Sequence, residues 1–208
     1  MPKPVIYICY ATPSYMPMMK QLHDSMIRYG IKESQIDFST VKDSGSWNRN
    51  VKRKTDFFIL KCKEYKKRGL NIAWIDADAI VLDTEYKKCG IALPFYENFA
   101  GEWGMSYEYN AQMSRHGFLS NAFIFRACDK VLDLLVKWNE YTEKVQSRTP
   151  TQAAFKHMWN EWGINQCIHF VEQPVGYVWY KAHANRRPYN QVQPIIMHDI
   201  ASRRMHKH

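Results

Sequence analysis

Residues 71–82 read Asn-Ile-Ala-Trp-Ile-Asp-Ala-Asp-Ala-Ile-Val-Leu, a run of apolar residues that Asp76 and Asp78 interrupt. The apolar flanks predict a buried strand, and side chains two residues apart share one face of a strand. Both carboxylates would therefore lie on one face if the strand continues, and a turn just beyond them would leave them at its carboxyl end. Buried acids are costly, and two close carboxylates repel each other. A divalent cation such as Mn²⁺ or Mg²⁺ removes this repulsion, because it prefers hard oxygen ligands. With less apolar flanks, two acids at a strand end would simply be solvated.

The segments before residue 71 alternate between the two kinds of secondary structure. Apolar residues at period two or in short runs predict strands, and those at helical spacing predict helices. Strands are predicted at Val5–Tyr10 and Gln35–Val41, and helices at Met18–Tyr29 and Val51–Tyr65. Such alternation predicts a largely parallel sheet with helices on both faces and a ligand site at the carboxyl ends of its strands.

The segments after residue 82 predict a mixed extension of the same sheet. Short strands are expected near residues 99–103, 118–125, 166–171 and 194–197, with helices over 131–141 and from Pro150 onward. Linkers, repeats and low-complexity segments are absent from the sequence. We therefore predict one domain over residues 1–208, of the α/β class, with a mostly parallel mixed sheet flanked by helices.

The composition is that of an ordinary globular protein. Of the 208 residues, 46% are apolar and 24% charged, and a chain of this length buries roughly 70% of its unfolded surface. The five cysteines are scattered without a CxxC pair, which favours buried thiols in a reducing compartment. The sequence also lacks an apolar stretch of the ~18 residues that a membrane span needs. We therefore expect a cytoplasmic protein without a membrane span, in the host cytoplasm if it is viral.

The net charge of +9 points to an anionic partner. Nucleic acid, an acidic membrane surface and a phosphorylated small molecule all fit, and charge alone does not choose among them. The basic residues form small scattered clusters, which more often face solvent than bind a ligand.

Several segments, in chain order, resemble glycosyltransferases. Residues 54–60 and 74–81 look like the lysine-led helix and the "W-I/L-D-x-D-A" strand that form the donor site of GT-A glycosyltransferases. Residues 119–126, 151–154 and 195–199 are similar to three later motifs of glycosyltransferase family 34. Thr151 stands where the family has an acid, and the glycine expected near Ser120 and Asn121 is missing.

The resemblance implies a GT-A fold and a metal-dependent transfer reaction. The donor would be a nucleotide sugar, with a UDP-sugar favoured, the acceptor a glycan or glycoprotein, and the anomeric configuration retained. Asp78 would bind Mn²⁺ or Mg²⁺ directly, Asp76 would contact the metal or the ribose, and His198 would complete the protein ligands. A histidine near a chain end is otherwise most often a surface residue.

The resemblance also assigns residues to the donor pocket. Gln152 would face the transferred sugar and join Asp76 and Asp78 as a catalytic residue, and Lys54 would approach the diphosphate. The remaining expected donor contacts are Tyr10, Ala11, Thr12, Ala77, Ser120 and Asn121. Simpler roles exist for several of these residues: strand-end packing for Tyr10 and Thr12, solvation for Lys54, and helix capping for Gln152.

Three alternatives explain part of the pattern. A nucleotidyltransferase should carry a glycine-rich loop after its first strand, but residues 11–15 contain no glycine. A haloacid-type phosphatase carries its paired acids on the first strand rather than the third. A nucleic-acid-binding module accounts for the charge and the aromatic residues but not for two acids in a buried strand. We therefore expect a monomer that binds a nucleotide sugar and does not bind nucleic acid.

Overall fold

The structure is a computed structural model that describes residues 3–82, 93–110, 115–147, 149–162, 168–173, 178–180 and 196–198. Its nine strands in these ranges are β1 Val5–Ala11, β2 Ile36–Thr40, β3 Asn71–Ile75, β4 Ala79–Val81, β5 Trp103–Asn110, β6 Arg115–Arg126, β7 Phe170–Glu172, β8 Val178–Tyr180 and β9 Ile196–His198. The helices there are α1 Met16–Arg28, α2 Trp47–Lys66, α3 Pro94–Glu97, α4 Asp129–Lys144 and α5 Pro150–Trp162.

Six of these strands form the central sheet, in the order β2-β1-β3-β6-β5-β7. The pairs β1/β2, β1/β3 and β5/β7 are parallel, whereas β3/β6 and β5/β6 are antiparallel. A second sheet has the order β4-β9-β8. The predicted α/β class, with a mostly parallel mixed sheet flanked by helices, is confirmed.

Alternation along the central strands builds two hydrophobic cores, one on each face of the sheet. On β1, Ile6, Ile8 and Tyr10 face the core that α2, α4 and α5 cover. Val5, Tyr7, Cys9 and Ala11 face the other core, to which α1 contributes Met19, Leu22 and Met26. The sheet is therefore buried on both faces, as expected for parallel strands. Within the described ranges, every helix is too short or too polar to span a bilayer.

The predicted strand over residues 71–82 is wrong in one respect: it is two strands in two different sheets. β3 ends at Ile75, and the backbone N–H of Ala79 bonds to the Asp76 carbonyl at 3.1 Å, which closes a turn over the two acids. β4 then pairs with β9, and the Val81 N–H donates to the Ser25 hydroxyl of α1 at 3.0 Å. A turn gives the acids access to solvent that an uninterrupted core strand would deny them.

Glu102, just before β5, ties the far edge of the central sheet together. Its carboxylate accepts the His169 N–H at 2.8 Å and the Lys130 ammonium at 3.1 Å. The backbone bond from His169 has the largest effect and lowers the pKa of Glu102 below its usual 4.5. Desolvation opposes it, and the hydrogen bond and charge of Lys130 lower the pKa further.

We expect Glu102→Gln to lower the free energy of unfolding at pH 7 by about 1 kcal/mol, because a charge-assisted hydrogen bond is lost. Since the folded-state pKa is lowered, this contribution is present above pH 4.5 and is lost as the pH falls through the folded-state pKa. Urea unfolding at pH 7 and at about pH 3 measures it. Glu140→Gln, which removes the exposed 3.0 Å pair with Lys137, is the control and should cost under about 0.5 kcal/mol. A deficit in Glu102→Gln that is as large at acid pH would contradict the electrostatic explanation.

Candidate functional site

The paired acids lie at the carboxyl edge of the central sheet. The Asp76 N–H donates to the Asn121 carbonyl at 2.8 Å, which extends the β3/β6 ladder by one bond before the turn. β1 runs parallel to β3, so its end at Ala11 and Thr12 lies along the same edge. This edge is where open α/β sheets bind ligands, and the structure therefore brings the predicted residues of β1, β3 and β6 to one side of the molecule.

Asp76 is held by two donors that approach the same oxygen. The Lys54 ammonium of α2 is 2.6 Å from Asp76 Oδ1, and the Trp74 indole N–H donates to that oxygen at 2.8 Å. The Lys54 Nζ also lies 5.3 Å from the centre of the Trp74 ring, within range of a cation–π contact. Lys54 and Asp76 are only 14% and 17% exposed. The structure thus pairs Lys54 with Asp76 in a largely buried contact.

The two carboxylates make this region negative, and neighbouring groups respond to it. Burial, then Asp78 and Asp76, raise the pKa of Tyr15 to about 12. Burial and then Asp76 raise the pKa of Cys9 and of Tyr10 well above their usual values. Tyr15 therefore keeps its proton at neutral pH and can only donate or accept a hydrogen bond as a neutral phenol.

The side chain of Asn121 is buried and, among the residues that the structure describes, has no hydrogen-bonding partner. It is 5% exposed, and within the described part of the chain neither its oxygen nor its nitrogen is paired. A buried unpaired amide costs about 1–3 kcal/mol for each group left unsatisfied. Next to it, the Ser120 hydroxyl lies 3.4 Å from that of Thr151 in the first turn of α5, the residue that precedes Gln152. β6 and α5 therefore present a polar corner beside the Asp76 backbone.

The end of β1 packs against the start of α2. The Tyr10 ring lies against Phe57 and Trp74, with centroids 5.2 and 5.5 Å away, and its hydroxyl donates to the Asn50 carbonyl at 2.5 Å. Any contact of Tyr10 with a ligand would therefore use the ring rather than the hydroxyl. Thr12 is buried, and its hydroxyl is paired with that of Ser14 at 3.2 Å. Ala77, in the acidic turn, is buried in the core that α1 covers.

Asn50 also fastens the loop that precedes α2. Its side-chain oxygen accepts the Ser44 N–H at 3.0 Å, and its amide donates to Asp43 at 2.8 Å. Gly45 adopts φ +72°, which a residue with a side chain rarely does, and donates its N–H to Asp43 at 2.9 Å. The loop is therefore held beside the carboxyl end of β1.

The third predicted metal ligand, His198, is described only in its backbone. β9 pairs with β4 in a register that sets His198 opposite Ala79, the residue after Asp78. Its side chain lies outside the described residues. Among the side chains that are described, no group of three or more histidine, cysteine or acidic residues gathers around a possible metal position. Asp76 and Asp78 thus supply two carboxylates, and the backbone brings His198 next to them in register.

Sequence reasoning missed three residues around the acids: Trp74, Tyr15 and Asn50. Trp74 could have been found, because it lies two residues before Asp76 and so projects from the same face of the strand. Tyr15 and Asn50 approach the site through a turn and a helix start, and residue spacing gives no signal for either.

Comparison with solved structures identifies the fold as that of GT-A glycosyltransferases. The sequence itself matches no family model and no curated protein. A glycosyltransferase involved in the glycosylation of the major capsid of PBCV-1 aligns over 97% of this chain and 98% of its own, with a TM-score of 0.64 and 9% identity. The sequence pattern also suggests a likeness to a chlorella-virus glycosyltransferase, and this match supports that likeness.

Two other glycosyltransferases contain the same fold within longer chains. GlyE of Streptococcus pneumoniae TIGR4 aligns over 93% of this chain with a TM-score of 0.53 and 12% identity, and the bifunctional WbbM over 95% with a TM-score of 0.58 and 9% identity. This chain covers 54% and 46% of those two proteins. At such identities the likeness establishes the shared fold, and the predicted GT-A fold is confirmed.

Proposed function

We propose that this protein is a glycosyltransferase that moves a sugar from a nucleoside-diphosphate donor, preferably a UDP-sugar, to a glycan or glycoprotein acceptor. The observation that carries the proposal is the Asp76–Asp78 turn at the carboxyl end of β3, in a chain whose fold is that of glycosyltransferases. The net charge of +9 suits a donor with two phosphates. We further propose that the protein acts as a monomer in the cytoplasm and binds no nucleic acid.

The residues at the turn fit a divalent cation. Two carboxylates at one edge are hard oxygen ligands. Burial is the main cause of the raised pKa values of Tyr15 and Cys9, and the two carboxylates add to it. Asp78 and Asp76 would hold Mn²⁺ or Mg²⁺, with His198 as the third protein ligand. When bound, the cation supplies charge neutralisation for the nucleoside diphosphate as the bond from sugar to phosphate breaks.

The buried amide of Asn121 supports a sugar position beside Asp76. A sugar hydroxyl both donates and accepts, so it can satisfy the oxygen and the nitrogen that have no partner in the described structure. Ser120 of β6 and Thr151 of α5 border the same corner, and Gln152 is the next residue of α5. In this proposal Asn121, Ser120 and Gln152 orient the transferred sugar, and Tyr10, Ala11, Thr12 and Ala77 line the nucleotide side.

We propose that transfer retains the anomeric configuration, as the resemblance to family 34 implies. The acceptor hydroxyl would attack the face of the sugar from which the diphosphate leaves, and the departing phosphate would take its proton. As the proposed ligands of the divalent cation, Asp76 and Asp78 would position the diphosphate indirectly for that step. Gln152 would hold the sugar in place.

A thermal-shift assay with UDP-sugars and GDP-sugars tests the proposal. We expect a UDP-sugar to raise the melting temperature only with Mn²⁺ or Mg²⁺, because a ligand at ~100 times its dissociation constant adds ~2.7 kcal/mol of stability. Proton NMR of the first product formed with that donor should show the anomer of the donor. Equal stabilisation in excess EDTA would remove the metal from the proposal, and an inverted product would remove the retaining mechanism.

A further inference from the structure

We propose that Lys54 is an exchangeable counter-ion of the site, which rests on the function proposed above. Its ammonium neutralises Asp76 while no divalent cation is bound. When the cation takes Asp76, the ammonium moves to the diphosphate of the donor. The described contacts thus show Lys54 in the first of two positions, and metal binding and donor binding are coupled through this one side chain.

The contacts of Lys54 fix the first position. Its Nζ lies 2.6 Å from Asp76 Oδ1, and the Trp74 indole N–H donates to the same oxygen at 2.8 Å. The ammonium also lies 5.3 Å from the centre of the Trp74 ring. This carboxylate oxygen therefore already carries a full positive charge and a second donor. A divalent cation can approach it only against the repulsion of Lys54.

Lys61, seven residues along the same helix, forms a second ion pair that can be compared with that of Lys54. Its ammonium is 2.5 Å from Asp37 and 3.0 Å from Glu64, and it lies near the rings of Phe57 and Tyr65. Asp37 lies within β2, away from the acidic turn. The partner of Lys54 instead lies in the turn, two residues from a second carboxylate. A lysine is a compact charge on a flexible stem, so a short movement can transfer it to a neighbouring anion.

The exchange has opposite consequences for the two ligands. Removing the charge of Lys54 takes one positive charge away from Asp76 Oδ1, so a bare divalent cation should bind more tightly. The same change removes a cation from the diphosphate, so a nucleoside diphosphate should bind more weakly even at saturating metal. A lysine that only positioned Asp76 would weaken both when removed.

Titration calorimetry of Lys54→Met separates these outcomes. With Mn²⁺ alone we expect the variant to bind about tenfold more tightly than the unmodified protein, and with UDP at saturating Mn²⁺ at least about tenfold more weakly, within the usual range of coupling between sites. Lys54→Arg keeps the charge and should keep the weaker Mn²⁺ affinity. Lys52→Met is the matched control: it removes a charge from the same helix that is paired with Glu143 at 3.6 Å, and should change neither affinity.

Lys54→Gln removes the same charge but keeps a polar side chain, and it should reproduce the tighter Mn²⁺ binding. Circular dichroism checks that each variant is folded. Unchanged or weaker Mn²⁺ affinity in both neutral variants would overturn the proposal. Tighter Mn²⁺ binding with unchanged UDP affinity would overturn the transfer to the diphosphate. If the unmodified protein binds UDP no better with Mn²⁺ than without it, the proposed function fails, whereas the titration with Mn²⁺ alone still reports whether Lys54 opposes a cation.

Discussion

Asp78→Ala is expected to weaken Mn²⁺-dependent binding of a UDP-sugar by about 10²–10³-fold, because the site loses one of the two carboxylates that would hold the divalent cation. If His198 is the third protein ligand, His198→Ala should weaken the same binding to a similar extent. The two residues are far apart in sequence, but β4/β9 pairing sets His198 opposite Ala79. Neither change removes a residue from the described hydrophobic cores, so both variants should fold.

Calorimetric titration of the donor at fixed Mn²⁺ measures both effects, and His206→Ala is the control. His206 is another histidine of the C-terminal segment, outside the described residues, and its replacement should leave affinity unchanged. Affinity equal to that of the unmodified protein in His198→Ala would show that this histidine is not a ligand. A loss in His206→Ala as large as that in His198→Ala would place the effect in the whole segment rather than in one imidazole.

Trp103→Ala is expected to destabilise the protein by about 3–5 kcal/mol, the range for removing a large buried aromatic side chain. Trp103 is fully buried and stacks on Phe123, Phe125 and Phe155 with centroids 5.2 to 5.5 Å away. Its loss would open a cavity between the sheet and α5. Because the free energy of unfolding of a domain is only about 5–15 kcal/mol, a change of this size removes a large part of it.

Urea unfolding followed by circular dichroism measures the effect, with two comparisons. Trp162→Ala removes the same side chain from a position that is 43% exposed and should cost under about 0.5 kcal/mol. Trp103→Phe should cost much less than Trp103→Ala, because the indole N–H has no hydrogen-bonding partner within the described structure. A loss in Trp103→Phe as large as that in Trp103→Ala would mean that the indole nitrogen matters and that a partner exists outside the described residues.

Much of the fold could be predicted because single elements carry strong periodic patterns. α2 was expected at Val51–Tyr65 and is found at Trp47–Lys66, since its apolar face repeats over several turns and Gly69 follows it at φ +59°. The division of residues 71–82 into β3 and β4 could not be predicted, because apolar residues continue through Ala79–Val81 as they would in one strand. The bond from the Asp76 N–H to the Asn121 carbonyl and the pairing of β4 with β9 decide it, and both involve residues distant in sequence. The short β8 and α3 likewise lack a pattern long enough to detect.

The sequence predicted which residues belong to the site, and the structure shows which of them contact each other. That Asp76 and Asp78 lie at a strand end follows from their spacing and flanks. The Lys54–Asp76 ion pair could not be read from the sequence, because the two residues are on different elements whose distance depends on how α2 packs on the sheet. The sequence also could not show that the Asn121 amide lacks a hydrogen-bonding partner among the described residues. That depends on every residue packed around it in the fold. The assigned roles of these residues stay predictions.

The pairing of β4 with β9 also affects how quickly the acidic turn can acquire its final form. Ala79 and His198 are far apart in sequence, and closing so long a loop carries an entropic cost. The contacts of β1 with β2 and β3 are much shorter in sequence and should form earlier. During synthesis, residues 3–82 would leave the ribosome with β4 still lacking its strand partner. The exposed edge of β4 is then open to wrong pairings, so aggregation during refolding should depend on how fast the last strand arrives.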